Sequence, residues 1–262
     1  MIFPTHTVLP TDQGARAVPE EVPVALSYGG TTHAVMMATP ADLEDFAVGF
    51  TLYEGIATRD EIEEITIQPV PDGIDLQIRL TEGAGDSLRD RHRRMAGPVG
   101  CGLCGVESIE QAMRAAPAVT ADLTLCDANI RRGLEALWRH QRLHEETHAV
   151  HAAGLWLPGQ GIVAVREDVG RHNALDKLAG FAARQGFAAG AVFITSRISV
   201  EMVQKAAVMG APVLVAVSAP TALAVRMAEA AGVTLVARAR GDRFETYTYQ
   251  HRITRGSSTD VA

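Results

Sequence analysis

The chain has 262 residues, 47% apolar and 21% charged, with a formal charge of -7 and three cysteines. This composition excludes disorder and collagen-like structure, and the length allows a sizeable core in one large domain or two small ones. Three cysteines cannot frame a disulfide-stapled fold, and no run of about 18 uncharged apolar residues is present to span a bilayer. The opening MIFPTHTVLPTDQG lacks the basic region and apolar run of a signal peptide, so a cytoplasmic protein is expected. Residues 1–80 hold 13 acidic and three basic side chains, a balance of -10, while the remainder carries +3. The acidic part disfavours nucleic acid and membranes as partners, and the basic part suits a small phosphorylated ligand. Arginine outnumbers lysine 22 to two, and Lys177 and Lys205 both fall inside dense motifs.

In chain order, residues 22–37 alternate around Tyr28-Gly29-Gly30 and predict two strands joined by a glycine turn. Thr39-Pro40 opens a predicted helix over 41–54, with Asp42, Glu44 and Asp45 at its positive end and Gly55 as its stop. IEEITIQPV and GIDLQIRL predict strands on either side of a turn at Pro71-Asp72-Gly73. Residues 81–100 are polar, rich in glycine and arginine, and show no period, which places a boundary there. Helices are expected near 105–115 and 127–145, then a hairpin of HAVHAAGLWL and GIVAVREDV. Apolar runs at AGAVFITS, PVLVAVS and VTLVARA, alternating with helical SVEMVQKAAVMG and PTALAVRMAEAAG, predict a βαβαβ unit with a buried, largely parallel sheet. Ligands gather beyond the carboxyl ends of such strands, where Ser196-Arg197 and Ser218-Ala219-Pro220 fall.

Gly100-Cys101-Gly102-Leu103-Cys104-Gly105 is the most chemically loaded segment. A cysteine pair at this spacing serves as half a zinc site, a redox pair or a sulfur-carrying pair. No second pair at ligand spacing accompanies it and no H-x-E motif precedes it, so no permanently bound metal is expected. The flanking glycines suit a loop that brings sulfur close to a partner. The helical pattern of VESIEQAMRA places Cys104 near a helix N-terminus, which favours the thiolate. Cys126, alone in LTLCDAN, reads as a packing residue.

Residues 166–177, Arg-Glu-Asp-Val-Gly-Arg-His-Asn-Ala-Leu-Asp-Lys, join a predicted strand to a predicted helix. A junction so dense in charge reads as a ligand site, and Arg171, His172 and Asn173 at a helix start suit an anion.

CGLCG followed by REDVGRHNALDK resembles the formate dehydrogenase accessory protein family, FdhD, a family of sulfurtransferases. TPADLEDFAVGFTLYEGI, HAAGL from His151, TSRIS with Glu201 and Lys205, SAPTALAV and FETYTYQHRI extend the resemblance from about residue 22 to 253. The family pattern has two glycines ahead of its histidine, where this chain has Thr147-His148-Ala149-Val150-His151, and S-G-R where this chain has Thr195-Ser196-Arg197.

The resemblance implies an α/β fold: a cytidine-deaminase-like layered C-terminal domain over 96–262, with the CxxC loop at its start. A smaller α+β domain would occupy 1–95. It implies that Cys101 carries a persulfide from a cysteine desulfurase, with Cys104 as its partner, and delivers sulfur to the molybdenum cofactor of formate dehydrogenase. That cofactor, Mo-bis(molybdopterin guanine dinucleotide), would be a bound substrate. Arg166, Arg171 and Arg197 suit its phosphates, with His172, Asn173 and Ser218 beside them, and Asp168 or Asp176 suits guanine. The family's closing strand maps to Phe244, Glu245, Thr246, Tyr247, Thr248 and Tyr249. A guanine nucleotide is an expected ligand and a homodimer the expected assembly. A non-catalytic cofactor carrier and a CxxC thiol–disulfide oxidoreductase remain as rival readings.

Overall fold

The computed structural model describes residues 3–95, 113–187, 190–241 and 243–254. It opens with a hairpin that the sequence did not announce, β1 (His6–Thr11) and β2 (Gly14–Pro19). Most of its residues stay exposed or half-buried, so no apolar alternation marks it.

The first sheet is built as the patterning predicts. Strands β3 (Val22–Tyr28) and β4 (Thr31–Ala38) meet at Gly29 and Gly30, whose φ angles of 56° and 79° supply the left-handed backbone that a tight hairpin requires. Strands β5 (Ile62–Val70) and β6 (Gly73–Leu80) complete the order β4-β3-β6-β5, with β3 and β6 parallel. Period-2 alternation puts Val24, Leu26, Ile74, Leu76 and Ile78 on one buried face. Helix α1 (Leu43–Tyr53) covers that face with Phe46, Ala47 and Phe50. It begins at Leu43 because Asp42 takes a left-handed conformation, φ 51°.

Residues 82–95, in the stretch read as a boundary without a clear period, form helix α2 (Glu82–Met95). Among its described side chains Ala84 and Leu88, at i and i+4, are buried, and in the sequence polar residues drown this apolar period. The helix expected near 105–115 falls almost wholly outside the described residues, and residues 113–124 carry no helix or strand. The single helix expected over 127–145 is two, α3 (Asp127–Arg139) and α4 (Arg142–Thr147), broken at His140 and Gln141. Short parallel strands β7 (Leu125–Cys126) and β14 (Ile253–Thr254) tie the end of the described chain to the start of α3.

The second sheet comprises β8 (His151–Leu157), β9 (Gly161–Asp168), β10 (Ala191–Ile194), β11 (Val213–Ala216), β12 (Thr234–Arg240) and β13 (Arg243–Thr246). Its order is β13-β12-β11-β10-β8-β9. The βαβαβ unit is present, with β10, β11 and β12 parallel and joined by α6 (Val200–Val208) and α7 (Ala222–Ala231). Antiparallel strands flank it on both sides, so the whole sheet is mixed. Val192, Ile194, Leu214 and Ala216 face α5 (Arg171–Gln185), α6 and α7, while Phe193, Val213 and Val215 face α3. Burial on both faces explains why these strands read as continuous apolar runs.

Helix α1 is sandwiched between the first sheet and α5. A Cβ at Gly49 would lie 1.8 Å from the Asp176 carbonyl oxygen, and one at Gly180 would lie 1.8 Å from that of Asp45. Glycine at both positions lets the two backbones touch.

Candidate functional site

The motif over residues 166–177 divides into two sets of side chains. Arg166, Asp168, Asn173 and Lys177 turn inward and lock the two sheets together. Arg166 donates from Nε and Nη2 to Asp45 Oδ2 at 2.9 and 2.7 Å, and its guanidinium lies 4.4 Å from the Phe181 ring centre. Asp168 is wholly buried; it accepts from the backbone N–H groups of Thr39 and Gly170 and from Asn173 Nδ2, and it pairs with Lys177 at 2.6 Å. Asn173 also donates to the Met37 carbonyl at 2.8 Å, and Lys177 to that of Thr39 at 2.9 Å. These groups are engaged within the protein, whereas the sequence reading placed Arg166, Asp168 and Asn173 against a ligand. Asp176, the alternative guanine partner, is buried against Lys205 at 2.5 Å, and burial raises its pKa above the usual carboxylate range.

Arg171 and His172 open α5 and remain partly exposed. They lie at the end of the sheet where the carboxyl ends of β10 and β11 carry Ser196-Arg197 and Ser218. A bridge between Ile198 and Pro220 holds these two loops side by side. His151, the first residue of β8, belongs to the same end because it pairs in register with Asp168. The N-termini of α5, α6 and α7 all fall here, so their dipoles add positive potential where Arg171 and Arg197 stand. Arg197 is exposed and Ser218 half-buried. The Ser218 carbonyl accepts the N–H of Arg238, which has a left-handed φ of 53°.

Electrostatics at this end follow from burial and neighbouring charge. His151 titrates below the usual histidine range, first because it is half-buried and then because Arg171 stands nearby. His172 Nε2 meets Glu201 Oε2 at 2.7 Å, and this hydrogen bond is the main reason Glu201 titrates below the usual carboxylate range. The pair bridges the first turns of α5 and α6. Glu167 points elsewhere; it caps α4 by accepting from Leu143 and His144 N–H at 2.9 and 2.8 Å, while burial raises its pKa.

The closing segment is a strand only at Arg243–Thr246, on the sheet edge. Phe244 packs against the α3-side core, Glu245 receives the Tyr247 hydroxyl at 2.5 Å, and Thr246 pairs with Val236. Thr248 is buried, bonding Leu235 N–H and the Val233 carbonyl, and Tyr249 donates to the Glu229 carbonyl at 2.6 Å. Cys101 and Cys104 lie outside the described residues. Of the described residues that follow, the Arg114 guanidinium stacks 4.2 Å from the Tyr53 ring centre and donates to the Tyr53 carbonyl. Among the described residues, no group of three or more His, Cys, Asp and Glu side chains is placed to hold a metal ion, and no helix is long and apolar enough to cross a membrane.

Comparison with known proteins fits this arrangement to a family. The FdhD/NarQ family profile matches residues 19–254. The chain belongs to the FdhD/NarQ family. It is 58% identical over 244 residues to the sulfur carrier protein FdhD of Agrobacterium fabrum, covering 92% of this chain and 90% of that one. The sulfur carrier protein FdhD of Brucella abortus is 54% identical, with 95% and 94% coverage. A crystal structure from Desulfotalea psychrophila, described as a formate dehydrogenase accessory protein, superposes with a TM-score of 0.72 at 28% identity, covering 95% of this chain and 97% of that one. The α/β class expected from the sequence is thus the fold of an FdhD/NarQ family member.

Sequence reasoning quoted His151, Glu201 and Lys205 but assigned them no site role, and it gave Asp45 and Thr39 only a place at the start of a helix. Those last two are partners of the motif from 121 to 138 positions away, and no local pattern announces these pairings.

Proposed function

We propose that this chain is a cytoplasmic sulfur carrier and sulfurtransferase that serves formate dehydrogenase. The observation that carries the reading is the 58% identity over 92% of the chain to a sulfur carrier protein FdhD, joined to the Cys101-Gly102-Leu103-Cys104 sequence. In the first step the Cys101 thiolate attacks the outer sulfur of a cysteine persulfide on a desulfurase. The donor's S–S bond breaks, its cysteine leaves as a thiolate, and Cys101 holds the new persulfide. Cys104, three positions on, is its partner.

The molybdenum cofactor with its two guanine dinucleotides is the substrate that receives the sulfur. Its phosphates suit Arg171, His172 and Arg197, where three helix N-termini add positive potential and Ser218 lies at the same sheet end. The closing segment runs away from that end, since β13 is antiparallel to β12 and Thr248 bonds Leu235 and Val233 at the start of β12. Arg166, Asp168 and Asn173 then act one layer below, fixing the loop that presents Arg171.

Mass spectrometry after incubation with a cysteine desulfurase and free cysteine tests this. One added sulfur on the peptide containing Cys101, abolished by Cys101→Ala, is the expected result. An unmodified peptide overturns the assignment.

A further inference from the structure

Ten positions beyond Cys104 in the sequence, Arg114 is gripped by groups from α1 and α6. Its guanidinium stacks on the Tyr53 ring, its Nη2 donates to the Tyr53 carbonyl at 2.8 Å, and Glu54 Oε2 stands 3.9 Å away. Gln204, buried in α6, donates from Nε2 to the Arg114 carbonyl at 2.8 Å and accepts the Tyr53 hydroxyl at 3.2 Å. Tyr53 is itself fixed, because Lys205 Nζ lies 3.6 Å from its ring centre while pairing with Asp176. Both the side chain and the backbone of Arg114 are therefore held.

This grip sits near the carboxyl ends of the second sheet. Gln204 is the fifth residue of α6, about 6 Å along the axis from the first, and the first turn carries Glu201 with its bond to His172. Further along the chain, Val119 N–H bonds the carbonyl of Ala231, the last residue of α7, at 2.8 Å. Helix α7 starts at the carboxyl side of the sheet and is about 15 Å long, so Val119 lies at the opposite side. From Val119 back to Arg114 the chain thus climbs towards the end where Arg171 and Arg197 stand. Without the grip, the chain would be rooted only where Ala116 and Val119 pack on the core.

We propose that Arg114 is a positioning residue: held by Tyr53 and Gln204, it roots the chain that follows the cysteine pair beside the first turns of α6, at the candidate site. Cys101 precedes Arg114 by 13 positions and Val119 by 18. Its greatest reach is about 45 Å from the first root and about 60 Å from the second. The local concentration of a tethered group falls as its tether lengthens and as the root recedes from the target. Rooting at Arg114 therefore favours encounters of the Cys101 thiol with the carboxyl side of the sheet. That such encounters serve sulfur transfer rests on the reading above; the grip itself does not.

The test is intramolecular crosslinking of Cys101 in a full-length chain carrying Cys104→Ala and Cys126→Ser. Ala222→Cys places a second thiol at the near end of α7 and Ala230→Cys at the far end, both at exposed positions. A short bismaleimide is added, and the crosslinked peptide is followed by mass spectrometry in the fraction that migrates as monomer on a denaturing gel. The near position should react about fivefold faster than the far one, and Arg114→Ala should cut that preference about threefold or more. Tyr53→Phe keeps the ring and the carbonyl that Arg114 uses, so it should keep the preference. The readout is a ratio of two rates, which a loss of overall stability in a chain that stays folded does not move. Equal rates at the two ends, or an Arg114→Ala chain with a lower unfolding midpoint but an unchanged preference, overturn the proposal. No sulfur donor takes part, so failure here and failure of the sulfur reading are separate results.

Discussion

Lys177 Nζ lies 2.6 Å from Asp168 Oδ2, and neither side chain has any exposure to solvent. The pair closes a network that includes the backbone of Thr39, so it joins the β4–α1 connection of the first sheet to the strand-to-helix junction of the second. Removing two charges from water is costly, and this pair recovers the cost through several hydrogen bonds to the carboxylate. Lys177→Met should therefore lower stability by about 3–5 kcal/mol, because Asp168 keeps a buried charge without its partner. Urea unfolding of both proteins measures it; a loss under about 1 kcal/mol would show that the pair does not hold the joint.

The chain's two lysines are both buried, Lys177 at 0% and Lys205 at 4% exposure. A folded sample treated briefly with an amine-reactive ester should show no lysine modification by peptide mass spectrometry. Denaturant should expose both sites together, since each pairs with an aspartate on the α5 side of one core. Labelling of Lys205 alone in native buffer would mean that α6 opens separately.

Gly49 and Gly180 permit the backbone contact between α1 and α5, and an added Cβ at either site lands on a carbonyl oxygen. Backbone cannot move aside as a side chain tip can. Gly180→Ala should cost about 3 kcal/mol, at the upper end of overpacking penalties. Gly83→Ala, at an exposed position of helix α2 with open space around its Cβ, should instead stabilise by about 0.5–1 kcal/mol. Thermal unfolding of the two variants should move in opposite directions.

His148 ends α4 in the left-handed region, φ 54°, donating its N–H to the His144 carbonyl at 2.8 Å. Glycine suits such a position, and the family pattern has two glycines in this stretch. Relief of backbone strain, partly offset by the greater freedom of glycine in the unfolded chain, predicts a net gain of about 0.5 kcal/mol for His148→Gly. A lower denaturation midpoint would show that the edge-on contact between the His148 and His144 rings, centres 5.5 Å apart, matters more.

Legibility in the sequence followed how local each cause was. The β3–β4 turn was readable because its two glycines carry the turn themselves, and β10 and β11 because burial on both faces leaves unbroken apolar runs. Helix α2 was hidden because polar residues outnumber apolar ones such as Ala84 and Leu88 along it. The density of the 166–177 motif was plain, but its division was not. Whether Arg166 reaches a ligand or Asp45 depends on a residue 121 positions away, and only the folded chain brings them together.

Protonation at the sheet end gives a last prediction. His151 and Glu201 both titrate below their usual ranges, the first mainly through burial and the second mainly through the His172 hydrogen bond. A group depressed in the folded state binds protons more tightly when unfolded, so its stabilising contribution is present above the unfolded pKa and is lost as pH falls. For histidine that loss begins near pH 6.5, and for glutamate near pH 4.3. The two windows therefore separate. Between about pH 7 and 5.5, His151→Asn should flatten the fall in unfolding free energy, whose slope for one proton cannot exceed about 1.4 kcal/mol per pH unit. Glu201→Gln should change the profile below about pH 4.5. Urea unfolding at stepped pH reads both, and identical profiles for His151→Asn and the parent protein would show that burial does not hold this imidazole neutral.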